Sequence, residues 1–196
     1  METLDNMKFV VDKLRSTNRE GVEDLLDYMT GCGFFDAPCS GGSHLCCQYG
    51  LVYHTRNVMT KAEDIGYALL GKKEYEKIRE SVIISAALHD LGKMGQFEKP
   101  EYVENVLASG KVSDAKPYKR NPDLLNVPHE IRSIAIATMF IDLTEEEQHA
   151  ILYHNGSYGP LRYEIQGNET PLYMIIHWAD MWASRVMESK NKKEEK

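Results

Sequence analysis

The chain has 196 residues, a length that suits one domain with a single sizeable hydrophobic core. Hydrophobic residues make up 42% of the chain and charged residues 27%, which is ordinary for a globular protein. The formal net charge of −7 disfavours nonspecific attraction to polyphosphate, so we expect no duplex DNA partner. A small anionic substrate stays compatible with this charge if a local cation, such as a metal ion, reverses the field.

The sequence shows no membrane segment, because no stretch reaches the roughly 18 apolar residues that a membrane span needs. The first residues also lack a secretory pattern, and we therefore expect a cytoplasmic protein. Four cysteines lie close together in the chain: Cys32, Cys39, Cys46 and Cys47. They lack the two spaced pairs of a typical zinc site, so we predict reduced thiols in a loop and keep a zinc or redox role as the alternative.

The first half of the chain predicts helices separated by turn-forming residues. Apolar residues recur at helical spacing over residues 7–14 and 22–29. The glycine-rich segment 31–50 then predicts a long loop, and loops of this length within a compact domain tend to be functional. Two further helices are predicted over residues 54–70 and 74–92.

The second half begins with a proline- and charge-rich connection that ends at Pro128, which we predict to be the first residue of a helix through residue 140. Thr144 and Glu147 form a T-x-x-E capping box, which starts a short helix that "HNGSYGP" ends. Thr170 and Pro171 begin a last helix over residues 171–188, whose apolar residues keep 3.6-residue spacing.

Strand-like alternation is absent, so the sequence predicts an all-α helical bundle. We expect a single domain over residues 1–190, in which residues 1–31 supply N-terminal helices and residues 32–188 form the core. Residues 189–196 are a charged tail. The N-terminal helices either cover the bundle or pair two chains, which leaves a homo-oligomer open.

His89 and Asp90 form an unusual pair at the end of an apolar helix. Burying two adjacent ionisable groups without partners is costly, and packing alone offers no reason for them. A carboxylate, Asp180, similarly interrupts the apolar face of the last helix. Histidine and aspartate are ligands of transition metals, and helical bundles build metal sites from inward-facing side chains of separate helices. The pattern therefore predicts a metal site in the bundle core.

Six residues in chain order resemble the H…HD…H…H…D signature of the HD-domain metal-dependent phosphohydrolases: His54, His89, Asp90, His129, His154 and Asp180. "HDLGK" is nearly the central motif of that family. The loop with "APCS", then a histidine and "YHTRNV", resembles small bacterial and phage HD proteins and the HD region of 3′-to-5′ exoribonucleases. "LTEEEQHAILYHNGSYG" and "HWADMWASRV" resemble later motifs of the same subgroup. Around His129 and before His54 the sequence departs from the subgroup, with "PHEIRS" and "YGLVYH".

The resemblance implies an HD-domain helical bundle and a metal-ligand set. His54, His89, Asp90 and Asp180 match the residues that hold the first metal in the family. His129 and His154 match members that hold a second metal with Asp90 bridging, while mononuclear members use these positions for substrate. Two divalent ions are therefore expected, drawn from iron, manganese, cobalt, nickel and zinc.

Other polar residues near these positions are candidates for the reaction and for substrate binding. Asp90 and Lys93 are the predicted catalytic residues, with Lys93 stabilising phosphate charge. Substrate-binding roles are predicted for His44, which the resemblance suggests lines the mouth of the active site, and for Arg56 and Arg132 as phosphate contacts. The alternative for each of these lysine and arginine residues is an ordinary solvated side chain.

The predicted function is a metal-dependent phosphohydrolase that cleaves a phosphomonoester or phosphoanhydride bond of a nucleotide or a related small phosphate compound. One alternative is a 3′-to-5′ phosphodiesterase on short RNA or DNA, although no segment here predicts the additional nucleic-acid domain of those enzymes. A second alternative is a nucleotide or metal sensor without turnover. A third is an oxygenase with a mixed-valent iron pair, as in one branch of the family.

Overall fold

The computed structural model describes residues 2–189 and confirms a predominantly helical protein. Within the described residues, six α-helices occur in the order α1 (Glu2–Arg15), α2 (Val22–Gly31), α3 (Gly50–Leu88), α4 (His129–Ala137), α5 (Glu145–Tyr153) and α6 (Pro171–Trp182). Buried apolar side chains from all six helices join in one core. None of the described helices is long and apolar enough to cross a membrane. The predicted charged tail lies outside the described residues, apart from its first residue.

Helix α3 contains the two helices that the sequence predicts on either side of a glycine. Gly71, with φ 70° and ψ 162°, breaks the helical backbone between them. Its positive φ is a conformation that glycine adopts without steric cost. The helix begins at Gly50, four residues before the predicted start, and ends at Leu88, directly before His89. The break at Gly71 lets the chain fold back, so that His54 near the start of α3 and His89 directly after its end lie beside each other.

A small β-hairpin lies within the connection that the sequence predicts to be irregular. Strand β1 (Tyr102–Glu104) pairs antiparallel with β2 (Tyr118–Arg120), with Tyr102 opposite Arg120. Each strand has only three residues, which is too short to show an apolar alternation in the sequence. The arginine also forms an ion pair at 2.8 Å with the buried carboxylate of Glu101, directly before β1, and both residues line a cleft beside the site described below.

Helix α4 packs against the turn that follows α3. Pro128 precedes the helix as its N-cap, with an extended ψ of 135°, instead of being its first residue as predicted. The Ser133 hydroxyl donates to the carbonyl of His89 at 3.0 Å and accepts from the amide of Gly92 at 2.8 Å. A Cβ at Gly92 would lie 2.3 Å from the carbonyl oxygen of His129, so only glycine allows this close approach. The contact brings the start of α4 beside the His89–Asp90 pair.

The predicted capping box at the start of α5 is confirmed. The Thr144 hydroxyl accepts from the amide of Glu147, whose carboxylate accepts from the amide of Thr144. The same carboxylate binds the Arg19 guanidinium at 2.8 and 3.1 Å. Burial would raise the pKa of Glu147, but these hydrogen bonds hold it below its ordinary value. The pair thus ties the α1–α2 turn to α5.

We expect Arg19→Met to lower the free energy of unfolding by about 3 kcal/mol, because it leaves a fully buried carboxylate without its charged partner. The matched control is Arg15→Met, which removes an ion pair to Glu23 in which both side chains are more than half exposed. That change should cost less than about 1 kcal/mol. Urea unfolding of both variants measures the difference. Equal losses would contradict the assignment of Arg19 as a structural anchor.

Candidate metal centre

His89 and Asp90 occupy the turn after α3, where both are almost completely buried. The Nδ1 of His89 lies 2.9 Å from the carbonyl oxygen of Ala86. A carbonyl only accepts, so Nδ1 carries the proton and the lone pair of the neutral ring is on Nε2. That atom lies 3.4 Å from Asp90 Oδ2. The helix end therefore presents an imidazole nitrogen and a carboxylate oxygen together.

A first cage of donor atoms forms where the two ends of α3 meet α6. His54 Nε2 lies 3.3 Å from His89 Nε2, 3.4 Å from Asp90 Oδ2 and 3.2 Å from Asp180 Oδ1. The Asp180 side chain keeps 15% exposure, whereas the other three are at most 2% exposed. This cage thus has two nitrogens, two oxygens and a single side open towards solvent.

A second cage lies on the other side of Asp90 and is built by α4 and the end of α5. Asp90 Oδ1 lies 3.2 Å from His129 Nε2 and 3.5 Å from His154 Nε2. The Nδ1 of His154 donates to the carbonyl of Ile151 at 2.8 Å, which places the lone pair of the neutral ring on Nε2. The two Nε2 atoms are 3.4 Å apart.

The donor atoms of both cages are better suited to coordinate divalent metal ions than to form hydrogen bonds with one another. In each cage two imidazole nitrogens face each other at hydrogen-bond distance, and in the neutral rings of His89 and His154 the facing nitrogen carries no proton. Asp90 Oδ1 is buried and accepts no hydrogen bond among the described residues, so it has an unused lone pair on that side. Nitrogen and carboxylate donors in this mixture suit divalent transition metals. The structure thus brings together all six residues that the sequence singled out.

Lys93 places a positive charge beside the donor atoms of the site. It follows Asp90 in a 3₁₀ turn (Leu91–Met94), where side chains three residues apart eclipse. Its Nζ lies 2.6 Å from Asp90 Oδ2. Burial would raise the pKa of Asp90, but Lys93 and His89 hold it well below the ordinary value. Burial likewise opposes the charge of Lys93, yet the carboxylate raises the pKa of the ammonium above its ordinary range. The site therefore keeps a buried cation beside the donor atoms.

The predicted substrate-binding residues have three different positions. His44 lines the cavity above the first cage, where burial lowers its pKa to about 4 and keeps its ring neutral near pH 7. Arg56 instead binds Asn6 and lies 5.5 Å from the ring of Phe9. Arg132 is buried and binds the side chain of Gln96 and a backbone carbonyl. Neither guanidinium reaches the cages, so we correct both expectations: these arginines hold α1 and α4 in place.

Two residues that the sequence analysis did not select lie at the site. Arg185 lines the same cavity, with its guanidinium 4.5 Å from the ring centre of Tyr158. Glu188 is buried and lies 3.0 Å from His54 Nδ1. Both follow α6: Arg185 lies within a π-helical turn (Ala183–Met187) and Glu188 directly after it, and helical periodicity does not reveal this turn. The sequence signal that could have identified these two residues is that each is charged and follows Asp180 by a few positions.

The cysteine-rich loop contributes one thiol near the cages. Cys39 Sγ lies 3.5 Å from His44 Nε2, and the two residues form a third group of potential metal ligands with His54. Burial raises the pKa of this thiol to about 11, so it stays protonated near pH 7. The imidazole of His54 already faces the first cage and Glu188. The four cysteines are free thiols.

The site opens into a cavity of about 440 Å³, whose lining includes Lys93, Asp180, Tyr158 and Arg185. A neighbouring cleft of about 420 Å³ shares Lys93 and Tyr158 and extends past His129. Volumes of this size suit small molecules. Each cavity is therefore lined by cationic side chains and by one cage residue, Asp180 in the first and His129 in the second.

Comparison with protein families supports the assignment of the two cages as a metal site. The model of the HD domain matches residues 51–183, more than half of the chain, and this range contains all six cage residues. Comparisons with curated proteins and with solved structures give no match. HD domains are in general metal-dependent phosphohydrolases that act on small phosphate compounds. The match, the helical fold and the buried His/Asp cages agree, and the chain belongs to the HD-domain family.

Proposed function

We propose that this protein hydrolyses a phosphomonoester or phosphoanhydride bond of a nucleotide or a related small phosphate compound, with two divalent transition-metal ions. The observation that carries the proposal is the placement of Asp90, which presents one carboxylate oxygen to each cage. His54, His89 and Asp180 would hold one ion with Asp90, and His129 and His154 the other. Iron, manganese, cobalt, nickel and zinc all suit this donor set.

The bound ions would supply Lewis-acid chemistry, polarising phosphoryl oxygens and lowering the pKa of water to near neutrality. The residues of the chain orient that chemistry. Asp90 fixes the relative position of the two cages, because it is shared and almost completely buried. Lys93 holds a positive charge beside Asp90, where it offsets charge that develops on the phosphoryl group. The open side at Asp180 lets substrate approach from the larger cavity.

The mouth of the cavity supports a nucleotide-sized substrate. Tyr158 is 64% exposed, and its ring and the Arg185 guanidinium stack on each other. An exposed aromatic ring can stack on a base, and a guanidinium can bind phosphate oxygens in a bidentate way. Both side chains are exposed, whereas Asp180, the cage residue that lines the same cavity, is largely buried. This order matches a molecule with a planar group at one end and a phosphate at the other.

The test is release of phosphate from a panel of nucleoside mono-, di- and triphosphates, using protein loaded separately with manganese, iron and zinc. We expect release from at least one nucleotide and no shortening of a short labelled RNA. Shortening of the RNA would favour the phosphodiesterase instead. Tight nucleotide binding without release would favour a sensor, and oxygen consumption by the iron form without phosphate release would favour an oxygenase.

We expect Lys93→Met to reduce kcat by about 10²- to 10³-fold, because it removes a preorganised positive charge beside the reacting phosphoryl group. The metal content should stay at the wild-type level, since the lysine is not a donor to either cage. The matched control is Lys61→Met, which removes a lysine of α3 that pairs with Asp64 at the same three-residue separation and belongs to neither cage. Steady-state kinetics and metal analysis check both variants. An unchanged kcat in Lys93→Met would contradict the assigned role.

A further inference from the structure

Glu188 is a buried carboxylate that connects three parts of the site without belonging to either cage. Its oxygens lie 3.0 and 3.1 Å from His54 Nδ1, and one of them accepts from the Asn57 amide at 3.1 Å. His44 Nε2 lies 3.5 Å from the other oxygen. Burial would raise the pKa of Glu188, but its bond to His54 holds it below the ordinary value. The residue lies five positions beyond the region that the HD-domain model matches.

The π-helical turn after α6 explains how Glu188 reaches His54. Eight residues of regular α-helix would rotate Glu188 by about 80° away from the direction of Asp180. A π-helical turn contains more residues and so rotates less per residue. The five residues from Ala183 to Met187 adopt this geometry. Both carboxylates can therefore approach one imidazole, Asp180 at Nε2 and Glu188 at Nδ1.

The four histidines of the cages differ in the acceptor group that lies next to Nδ1. His89 and His154 donate to backbone carbonyls of residues three positions earlier in the chain. The Nδ1 of His54 faces the Glu188 carboxylate, and that of His129 lies 3.4 Å from Glu130. A carboxylate that accepts this proton fixes the tautomer and makes the opposite nitrogen a stronger donor to metal. Only the carboxylate of Glu188 approaches its histidine with both oxygens.

We propose that Glu188 is a positioning residue of the first cage, which orients His54 and strengthens metal binding through its Nε2. The inference rests on the proposed function, because it assigns His54 as a metal ligand. The bidentate approach of Glu188 to Nδ1 and the burial of both side chains carry it. Glu188 lies outside the cage interior and lines the larger cavity, and it acts on the metal site through His54.

The experiment is a zinc titration against a chromophoric chelator, with zinc as the only added ligand. We expect Glu188→Gln to weaken the binding of one zinc ion by about 10- to 100-fold and to leave the second ion unchanged. The matched control is Glu147→Gln, which alters another fully buried carboxylate that lies in α5 and pairs with Arg19. The control should leave both zinc affinities unchanged. Equal zinc binding by wild type and Glu188→Gln, or equal weakening by the control, would overturn the inference.

A second measurement keeps the inference testable if Glu188→Gln does not fold. NMR of zinc-loaded wild-type protein should show a strongly downfield Nδ1 proton close to the Asn57 side-chain amide, which binds the same carboxylate. Absence of that resonance overturns the inference. Glu188→Asp retains the charge and should weaken the binding of the same zinc ion by a smaller factor than Glu188→Gln does. Wild-type protein that binds no zinc overturns the proposed function too, whereas zinc bound equally by wild type and both variants overturns this inference alone.

Discussion

Asp90→Asn is expected to reduce phosphate release by at least about a thousandfold, or roughly 4 kcal/mol in transition-state stabilisation. The substitution preserves the shape of the side chain but removes the charge that faces both cages. It also leaves Lys93 buried beside a neutral amide. The metal content should fall from two ions to at most one. Phosphate assays and elemental analysis of protein purified without chelator measure both effects.

The control for this variant is Asp64→Asn, which neutralises an exposed aspartate that pairs with Lys61 at the same separation as Asp90 with Lys93. We expect its metal content and activity to equal those of the wild type, because the pair is exposed and remote from the cages. Folded Asp90→Asn protein that keeps two ions and full activity would show that the cages are structural. The proposed function would then be wrong.

Removal of the metal is expected to lower the melting temperature markedly. An ion that binds only the folded chain stabilises it by about 4 kcal/mol when its free concentration is about a thousand times its Kd. For a domain of this size, each kcal/mol shifts the melting temperature by about 2–4 °C. One tightly bound ion thus corresponds to a decrease of about 8–16 °C on chelation. Thermal unfolding with and without chelator, followed by addition of manganese or zinc, measures the decrease and its reversal.

The physical reason for this effect is the arrangement of the cages without a cation. Facing imidazole nitrogens and the unpaired Oδ1 of Asp90 destabilise the folded state. The unfolded chain has no such cluster, so metal-binding energy becomes folding energy. Asp90→Asn provides the comparison, because its melting temperature should respond less to chelator. A wild-type melting temperature that is the same in chelator and in excess metal would contradict metal binding at this site.

The helices could be predicted from the sequence because their signals are local. Apolar spacing, the capping box of Thr144 and Glu147, and the Thr170–Pro171 start of α6 each depend on neighbouring residues. The cage residues could be predicted from the sequence for a different reason. His89, Asp90 and Asp180 interrupt apolar helical faces, where an unpaired polar group is costly. Each such interruption requires a partner, and the residue types indicate a metal.

Whether a positively charged side chain reaches the site could not be predicted from its distance along the chain to a cage residue. Arg56 follows His54 by two residues, and side chains two positions apart on a helix face different directions. It therefore contacts α1 instead of the site. Lys93 follows Asp90 by three residues in a 3₁₀ turn, where this separation brings side chains together. The local helix type, which the sequence does not specify, decides between these outcomes.

The sequence alone determined the helical class, the six polar residues that interrupt or flank apolar helices, and the chemistry that such residues share. The tertiary structure alone decided that Asp90 lies between two cages, that Arg185 lies at the mouth of the cavity, and that Glu188 reaches His54. The reason is physical: helix formation depends on residues a few positions apart, whereas a cage requires atoms from α3, α4, α5 and α6 to meet within a few ångströms. That meeting depends on the packing of the whole core, including the glycine contact at Gly92 and the π-helical turn after α6.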